Sequence, residues 1–412
     1  MIEVATPRPL TRAESKPSIV STHVASIDIV RALTMVLMIF VNDLWSLKGI
    51  PEWLEHVKPG VDGIGLADVV FPAFLFIVGL SLPFAIETRR AKGESEVQLI
   101  VHVILRSVAL LVMGVFLVNG ETINAAATGM PRHVWYSISC LCFILIWNRY
   151  PSSANKWFVY ALKFLAIATL ATFAFIYRGG EDGNLDRFKP QWWGILGLIG
   201  WAYLTSGIIT VFSKNKMPVI FGAWIFFCVL SMVYKAGYIP KDSFINFIPG
   251  AILGGTLTGL TMGGVLTALL FKYFRERDKN ITMTLVFIGF AALLIILSVI
   301  TRPYWKLAKL GATPAWLFLC SAFTLLTFLL VYWIADVKKK ANWFSMIRPA
   351  GTDTLLCYLI PYFLYAFLRM VHFHWPEAVI TGGIGLIKSF LLALVCVWIT
   401  RLLNRAGVRL KL

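Results

Sequence analysis

The sequence predicts an all-α membrane protein, a bundle of about 10–12 transmembrane helices, from its composition, its hydropathy and the lengths of its apolar runs. Of its 412 residues, 58% are hydrophobic and only 14% are charged, and the mean hydropathy is +0.76. Soluble domains carry about 25% charged residues, so this chain has too few to cover a water-exposed surface. Because a spanning helix needs about 20 residues, the chain has no room for a large soluble domain.

The individual elements follow from the apolar runs. Their length and their lack of alternation favour helices over strands, because a lipid-exposed backbone must satisfy its own hydrogen bonds. The predicted spans cover residues 29–47, 66–86, 99–118, 133–149, 157–177, 192–212, 217–234, 247–271, 281–300, 314–335, 352–371 and 380–403.

Two regions are expected along the chain. Residues 1–27 are polar and lack the apolar stretch of a signal peptide, so we expect a cytoplasmic N-terminal segment followed by a single transmembrane domain over residues 28–412. The six cysteines lie inside apolar runs without metal-ligand spacing, which is typical of core residues. They are Cys140, Cys142, Cys228, Cys320, Cys357 and Cys396.

The charge distribution predicts the orientation. Cytoplasmic loops of membrane proteins collect Lys and Arg, and on the twelve-span map 22 of these residues fall on one side and 11 on the other. Both termini are therefore predicted to be cytoplasmic, with the loop between the first two spans on the opposite, outer face. The same bias accounts for the net charge of +17, so nucleic acid is not an expected partner.

Small residues mark the eighth predicted span. Several of its glycines have the G-x-x-x-G spacing that allows close helix packing, and a backbone-lined passage for a narrow ligand is the alternative. The glycines are Gly250, Gly254, Gly255, Gly259, Gly263 and Gly264.

Ionisable and amide side chains at membrane depth are functional candidates, because they are costly to place there. Asp28 and Arg31 are three residues apart and can pair on one helix face, and Arg106, Arg369 and Lys388 are expected to snorkel to an interface. The full set is Asp28, Arg31, Asn42, Asp43, Asp68, His102, Arg106, Lys163, Asp353, Arg369 and Lys388.

The segment from Asn42 to Asp68 is the strongest catalytic candidate. Asn42 lies near the outer end of the first span, Asp68 begins the second span from the same side, and His56 lies in the connecting loop. A histidine oriented by a carboxylate can act as a general base near neutral pH. Ordinary loop and capping roles are the alternative, since Asp68 can also cap a helix.

A sequence resemblance supports the catalytic interpretation. The chain reads "DIVRALTMVLMIFVNDLW", then "EH", then "GLADVVFPAFLFIVGLSLPFAI" over residues 28–90, with weaker likeness at 192–204 and 351–362. This pattern resembles the heparan-α-glucosaminide N-acetyltransferase family of transmembrane acyltransferases, most closely its compact bacterial branch. The resemblance implies that His56 is catalytic, with Asn42 and Asp68 beside it.

The resemblance also implies the reaction, which is transfer of an acetyl group from cytoplasmic acetyl-CoA to an amino sugar or cell-envelope glycan across the cytoplasmic (inner) membrane. His56 would act either as a base or as an acetyl carrier, with Asn42 donating to the thioester carbonyl. Acetyl-CoA is the expected co-substrate, and no metal is expected. Expected partners are the glycan, membrane lipids and, as an open alternative, a second copy of the chain.

Basic residues on the inner face are candidates for binding the CoA phosphates. Clusters of this kind also set topology or contact anionic lipids, and that alternative stays open. The candidates are Lys272, Arg275, Arg277 and Lys279, with a second run at Lys338–Lys340.

Two departures from the family bear on the acceptor. The loop "HVKPGVDGIGLAD" is longer than its counterpart in the lysosomal enzyme, whose large lumenal domain has no match here. A small amino sugar is therefore expected rather than heparan. The main rival function is a secondary transporter of a sugar or amino sugar, although no internal repeat typical of transporters is recognisable. A non-catalytic membrane partner is the third alternative.

Overall fold

The structure is a computed structural model that describes residues 24–412 except 182 and 241. Most of the predicted N-terminal segment 1–27 lies outside the described residues. The same holds for Arg8, Arg12, Lys16 and Lys241 of the charge count.

Twelve long α-helices account for most of the described chain, and each corresponds to one predicted span. Ten of them are long and apolar enough to cross a membrane, and the other two, α4 and α11, are shorter apolar helices. The helices are α1 Ala25–Asp43, α2 Leu66–Ala91, α3 Glu96–Glu121, α4 Arg132–Trp147, α5 Lys156–Ile176, α6 Ile195–Ser213, α7 Met217–Lys235, α8 Thr256–Arg275, α9 Asn280–Thr301, α10 Pro314–Tyr332, α11 Thr354–Met370 and α12 Gly382–Arg405. The predicted all-α membrane bundle is confirmed.

Short elements complete the architecture. One two-stranded antiparallel sheet, β1 Gly179–Glu181 and β2 Asn184–Asp186, lies in the loop after α5. The six cysteines are free and buried, as expected for core residues. Short α-helices cover Ala125–Thr128, Gly250–Leu253 and Arg348–Thr352, 3₁₀ turns cover Leu44–Ser46, Glu52–Leu54, Phe244–Phe247, Ala341–Phe344 and Glu377–Val379, and a π turn covers Trp333–Val337.

The eighth span differs from its prediction. A continuous helix was expected over 247–271, but α8 begins only at Thr256. Gly255 has a φ of +69°, a left-handed conformation that glycine adopts without steric cost, and the helix is broken there. The Thr256 hydroxyl donates to the carbonyl of Ala312 at 2.6 Å, so the break is fixed to the loop after α9.

Helix α8 lies at the centre of the bundle. A Cβ added at Gly264 would lie 1.9 Å from the Phe76 carbonyl oxygen, and one at Gly79 would lie 1.8 Å from that of Thr261. Only glycine permits this approach of α2 and α8, so the expectation of close packing is confirmed. About 78% of α8 is buried, whereas α5, α7 and α9 are mostly exposed with apolar side chains, which is typical of helices that face lipid.

Backbone contacts divide the connections into two faces. On the face of the α1–α2 loop, Gly63 donates to the carbonyl of Leu307 at 3.1 Å and Lys48 donates to that of Ile380 at 2.9 Å. On the opposite face, Arg149 donates to the carbonyl of Arg409 at 2.9 Å. The alternating path of the predicted map is therefore present, and we keep the terms outer and inner face from the charge count.

Helix α1 is fixed at its inner end by two acidic side chains. The Asp336 carboxylate accepts from the backbone amides of Ala25 and Ser26 at 3.1 and 2.9 Å, which satisfies two amides of the first turn. Asp28 accepts from Arg31 at 3.0 Å, so the predicted pair is confirmed. Arg31 also donates to the Gly351 carbonyl at 3.1 Å.

The orientation can be tested by cysteine accessibility, because the native cysteines are buried. A cysteine introduced at Lys58 or Glu181 on the outer face is expected to react with an impermeant thiol reagent added to intact cells, and one introduced at Lys339 is not. The measurement is labelling before and after permeabilisation. If Lys339→Cys were labelled in intact cells and the two outer-face variants were not, the predicted orientation would be wrong.

Candidate functional site

The loop between α1 and α2 folds back on itself before α2 begins. Leu54 is buried and anchors the loop, while the backbone of Glu55 packs directly against Gly65. A Cβ at Gly65 would lie 1.9 Å from the Glu55 carbonyl oxygen, so a side chain here would displace the loop. This return places His56 beside the first turn of α2.

The carboxylate of Asp68 holds this folded-back loop in place. Asp68 Oδ2 accepts from the backbone amides of Val57 at 3.0 Å and Gly65 at 3.1 Å, which caps the start of α2. Its Oδ1 lies 2.8 Å from Nδ1 of His56. The two alternatives considered for Asp68, a helix cap and an orienting carboxylate, are therefore both realised by the same side chain.

The pairing sets the chemistry of the imidazole. The Asp68 side chain is only 3% exposed, and that of His56 is 47% exposed. A carboxylate accepts hydrogen bonds, so Nδ1 carries the proton and the lone pair lies on Nε2. His56 thus presents an oriented, solvent-accessible nitrogen that can accept a proton or attack a carbonyl.

Lys309, in the loop between α9 and α10, is a member of the site that the sequence did not indicate. Its Nζ lies 3.3 Å from Nδ1 and 3.4 Å from Nε2 of His56. Both distances are within hydrogen-bond range, so the Lys309 amino group borders the imidazole and contacts Nε2 as well as Nδ1. Burial lowers the pKa of Lys309, and the nearby Asp68 carboxylate opposes that shift.

The loop that carries Lys309 is fixed to the His56 loop by Asp62. Its carboxylate accepts from Arg302 Nε at 3.0 and 3.1 Å and from the Leu307 amide at 2.8 Å. Burial raises the pKa of Asp62, but these donors outweigh burial and the pKa lies below its ordinary value. The two loops are thus linked at neutral pH.

Asn42, the third predicted catalytic residue, lies apart from this pair. Its exposed side chain lines a cavity of about 640 Å³ that reaches from the outer ends of α1, α3, α4, α11 and α12 into the bundle, and neither His56 nor Asp68 lines it. The structure therefore brings two of the three predicted residues together. The polar and aromatic lining residues are Asn42, Asp43, Trp45, Ser46, Glu121, Arg132, His133, Tyr136, Tyr358, Tyr362, Tyr365, Arg369, Phe373, Trp375 and Lys388.

A buried ion pair lies at one wall of the cavity. Lys388 donates to Asp43 Oδ2 at 2.6 Å and to Ser46 Oγ at 2.9 Å, while Tyr365 donates to Asp43 Oδ1 at 2.7 Å and Ser389 to Oδ2 at 2.6 Å. The expectation that Lys388 snorkels is wrong. Its ammonium stays inside because a buried carboxylate with matched donors replaces the water it would lose.

The predicted CoA-binding cluster lies at the inner end of α8 and in the short turn that follows. Lys272 pairs with Glu87 and lies 3.7 Å from Glu276, and Arg277 lies 3.8 Å from the centre of the Tyr273 ring. Arg275 lies 5.8 Å from the ring of Phe271, and Lys279 is exposed. The four residues are close along the chain, but Lys272 is already engaged by carboxylates.

Other candidates occupy structural positions. Arg106 lies 4.8 Å from the ring of Tyr203, and Lys163 lies 5.8 Å from that of Tyr150. Asp353 accepts from Asn404 at 2.9 Å.

Comparison with known proteins places these residues in context. A family described as a domain of unknown function (DUF5009) matches residues 23–254. The heparan-alpha-glucosaminide N-acetyltransferase of Mus musculus is 32% identical over 407 residues, which cover 85% of this chain and 54% of the mouse protein. That of Homo sapiens is 32% identical over 98 residues, 23% of this chain and 13% of the human protein. The resemblance drawn from the motifs is confirmed, and the chain spans about half the length of the mouse relative.

The buried ion pair gives a stability prediction. Asp43→Asn keeps one acceptor oxygen, replaces the other by an amide donor and leaves Lys388 without its counter-charge, so we expect a loss of about 3–5 kcal/mol in the free energy of unfolding. Adding Lys388→Met to the Asp43→Asn variant should restore much of the lost free energy of unfolding. The measurement is denaturant unfolding of purified protein in detergent.

The matched control is Asp186→Asn, which breaks the exposed pair with Lys189 and should cost at most about 1 kcal/mol. Equal losses at the two sites would show that the buried pair has no special role.

Proposed function

The chain belongs to the DUF5009 family, and from that membership, the likeness to heparan-alpha-glucosaminide N-acetyltransferases and the His56 geometry we propose that it is a membrane acetyltransferase. It transfers an acetyl group from cytoplasmic acetyl-CoA to an amino sugar or cell-envelope glycan at the outer face of the cytoplasmic membrane. The observation that carries this proposal is the hydrogen bond of 2.8 Å between His56 and the buried Asp68.

The reaction requires a neutral amine. An amino sugar is mostly an ammonium at neutral pH, and His56 Nε2 takes its proton before the nitrogen attacks the thioester carbonyl. A C–N bond forms, the C–S bond breaks, and CoA leaves as a thiolate that is then protonated. In the second route Nε2 attacks the thioester carbonyl and CoA leaves as a thiolate. The neutral amine then attacks the acetylated imidazole, the bond between Nε2 and the acetyl carbon breaks, and the amine proton is lost to solvent. Both routes use the tautomer that Asp68 imposes.

Lys309 supports the step electrostatically. Its amino group lies 3.3 and 3.4 Å from the two ring nitrogens of His56, where a cation stabilises the negative charge that develops on the carbonyl oxygen. Asn42 lies on the cavity wall, apart from His56, so its amide donates to the carbonyl oxygen only when a substrate in the cavity extends to the histidine. On the inner face, the basic residues at the end of α8 bind the CoA phosphates.

Removing the imidazole tests the proposal. In detergent with radiolabelled acetyl-CoA and glucosamine, the wild-type chain should form acetylated glucosamine, and His56→Ala should lower the initial rate by about 10²–10⁴. Asp68→Asn should cause a smaller loss, because the orienting charge is removed but the imidazole remains. Asn42→Ala should slow the chemical step with the histidine intact.

The matched control is His374→Ala, an exposed histidine on the outer face that does not line the cavity, and thermal stability is followed for every variant. A His56→Ala variant that keeps more than about a tenth of the wild-type rate would contradict catalysis by this loop. Glucosamine uptake by proteoliposomes with no acetylated product would instead favour the transporter.

Lys309 can be tested separately. Lys309→Met should lower kcat by about 10²-fold with little change in KM, the loss typical of one oxyanion-stabilising group, and Lys309→Arg should recover part of it. Lys306→Met is the matched control, since Lys306 lies in the same loop as Lys309 and donates to the Gly60 carbonyl. A change in KM alone would assign Lys309 to binding.

A further inference from the structure

The outer cavity has the size and lining of a small-molecule site. Its volume of about 640 Å³ lies within the range of about 300–1,000 Å³ typical of ligand pockets. Aromatic side chains form its walls, with the rings of Tyr136 and Tyr362 at 5.1 Å and those of Phe373 and Trp375 at 5.0 Å. Such walls, with a few polar groups, suit the apolar faces and hydroxyl edges of a sugar ring.

The charged groups in the lining are mostly engaged. Asp43 accepts from three side chains and Lys388 is held by Asp43 and Ser46, so both are unavailable to a ligand. Arg132 donates to the Tyr136 hydroxyl at 3.3 Å and lies 5.5 Å from the centre of its ring. These contacts leave two charged side chains in the lining to be considered.

Glu121 and Arg369 are those two side chains. Within the part of the chain that the structure describes, neither side chain makes a hydrogen bond or an ion pair, and both line the cavity. Glu121 ends α3 and Arg369 lies in the last turn of α11. Among the described residues, the cavity therefore offers the guanidinium of Arg369, the amide of Asn42 and the carboxylate of Glu121, which interacts electrostatically with Arg132.

The overall charge of the lining decides the ligand class. Three cationic side chains face two carboxylates, which disfavours a ligand that carries only a positive charge. A ligand with both an ammonium and an acidic group matches Glu121 and Arg369, because carboxylates and guanidinium groups form the strongest hydrogen bonds with ionised partners.

We propose that this cavity is the acceptor site and that the acceptor is an amino sugar bearing an acidic group. Glu121 holds the ammonium, Arg369 holds the acid, and the aromatic walls contact the ring. Calling this ligand the acceptor rests on the proposed function, but binding of the ligand does not require catalysis. His56 does not line the cavity, so the amine must leave Glu121 and move to the histidine before it reacts.

Binding of four sugars to the full chain in detergent, without acetyl-CoA, tests the proposal by calorimetry. The probes are glucose, glucosamine, glucosamine 6-phosphate and muramic acid, which is a glucosamine with a carboxylate. Glucosamine 6-phosphate or muramic acid should bind at least about tenfold more tightly than glucosamine. The acid-bearing sugar that binds more tightly shows whether the acidic group is a phosphate or a carboxylate.

Two variants separate the roles. Glu121→Gln should lower affinity for the amino sugars about tenfold and leave glucose unchanged. Arg369→Gln should remove the advantage of the acid-bearing sugar and leave glucosamine unchanged. The matched controls are Glu181→Gln and Arg187→Gln, which are exposed on the outer face outside the cavity and should have no effect.

Three results would overturn the proposal. They are equal affinity for glucosamine and both acid-bearing sugars, an Arg369→Gln variant that keeps the advantage of the acid, and a Glu121→Gln variant that weakens glucose as much as glucosamine. Acetylation is measured in a separate assay. Charge-selective binding without turnover would refute the proposed function alone, and turnover without charge-selective binding would refute this inference alone.

Discussion

The outer end of this bundle depends on the carboxylate of Asp68. Its two oxygens accept from a loop amide, from the amide that precedes α2 and from the imidazole of His56, and its backbone carbonyl accepts from the buried Trp316 at 2.9 Å. Because a buried charge must be matched by donors, the loop has little freedom to fold differently. The orientation of His56 is therefore a property of the fold. Loss of the Asp68 carboxylate affects both the fold of the loop and the orientation of the imidazole.

The sequence predicts the helices well, because each span must carry enough apolar residues to cross the bilayer. It also predicts the pairs Asp28–Arg31 and His56–Asp68, whose members are close along the chain. It fails where contacts cross long separations. Hydropathy cannot show that α8 begins only at Thr256, and no local pattern links Lys388 to Asp43 or Lys309 to His56, since each pair meets only after the bundle has formed.

Helical geometry explains why Asn42 and Asp43 have different environments. Successive residues of a helix differ by about 100° in direction, so Asn42 is exposed in the cavity while Asp43 is buried in the cavity wall against Lys388 of α12. The shared position of Asn42, His56 and Asp68 at the outer end of the first two spans, together with the family resemblance, predicts that Asn42 joins the histidine pair. The structure instead divides the outer face into an exposed proton acceptor on the loops and a shaped cavity whose wall is fixed by the buried ion pair.

Helix α1 connects these features to the opposite face. It has 19 residues, a length of about 28 Å, and it is held at its inner end by Asp336 and at its outer end by Lys388. A helix fastened at both ends cannot slide by a turn past its neighbours. Helix α1 therefore fixes the spacing between the inner face of the bundle and the cavity wall.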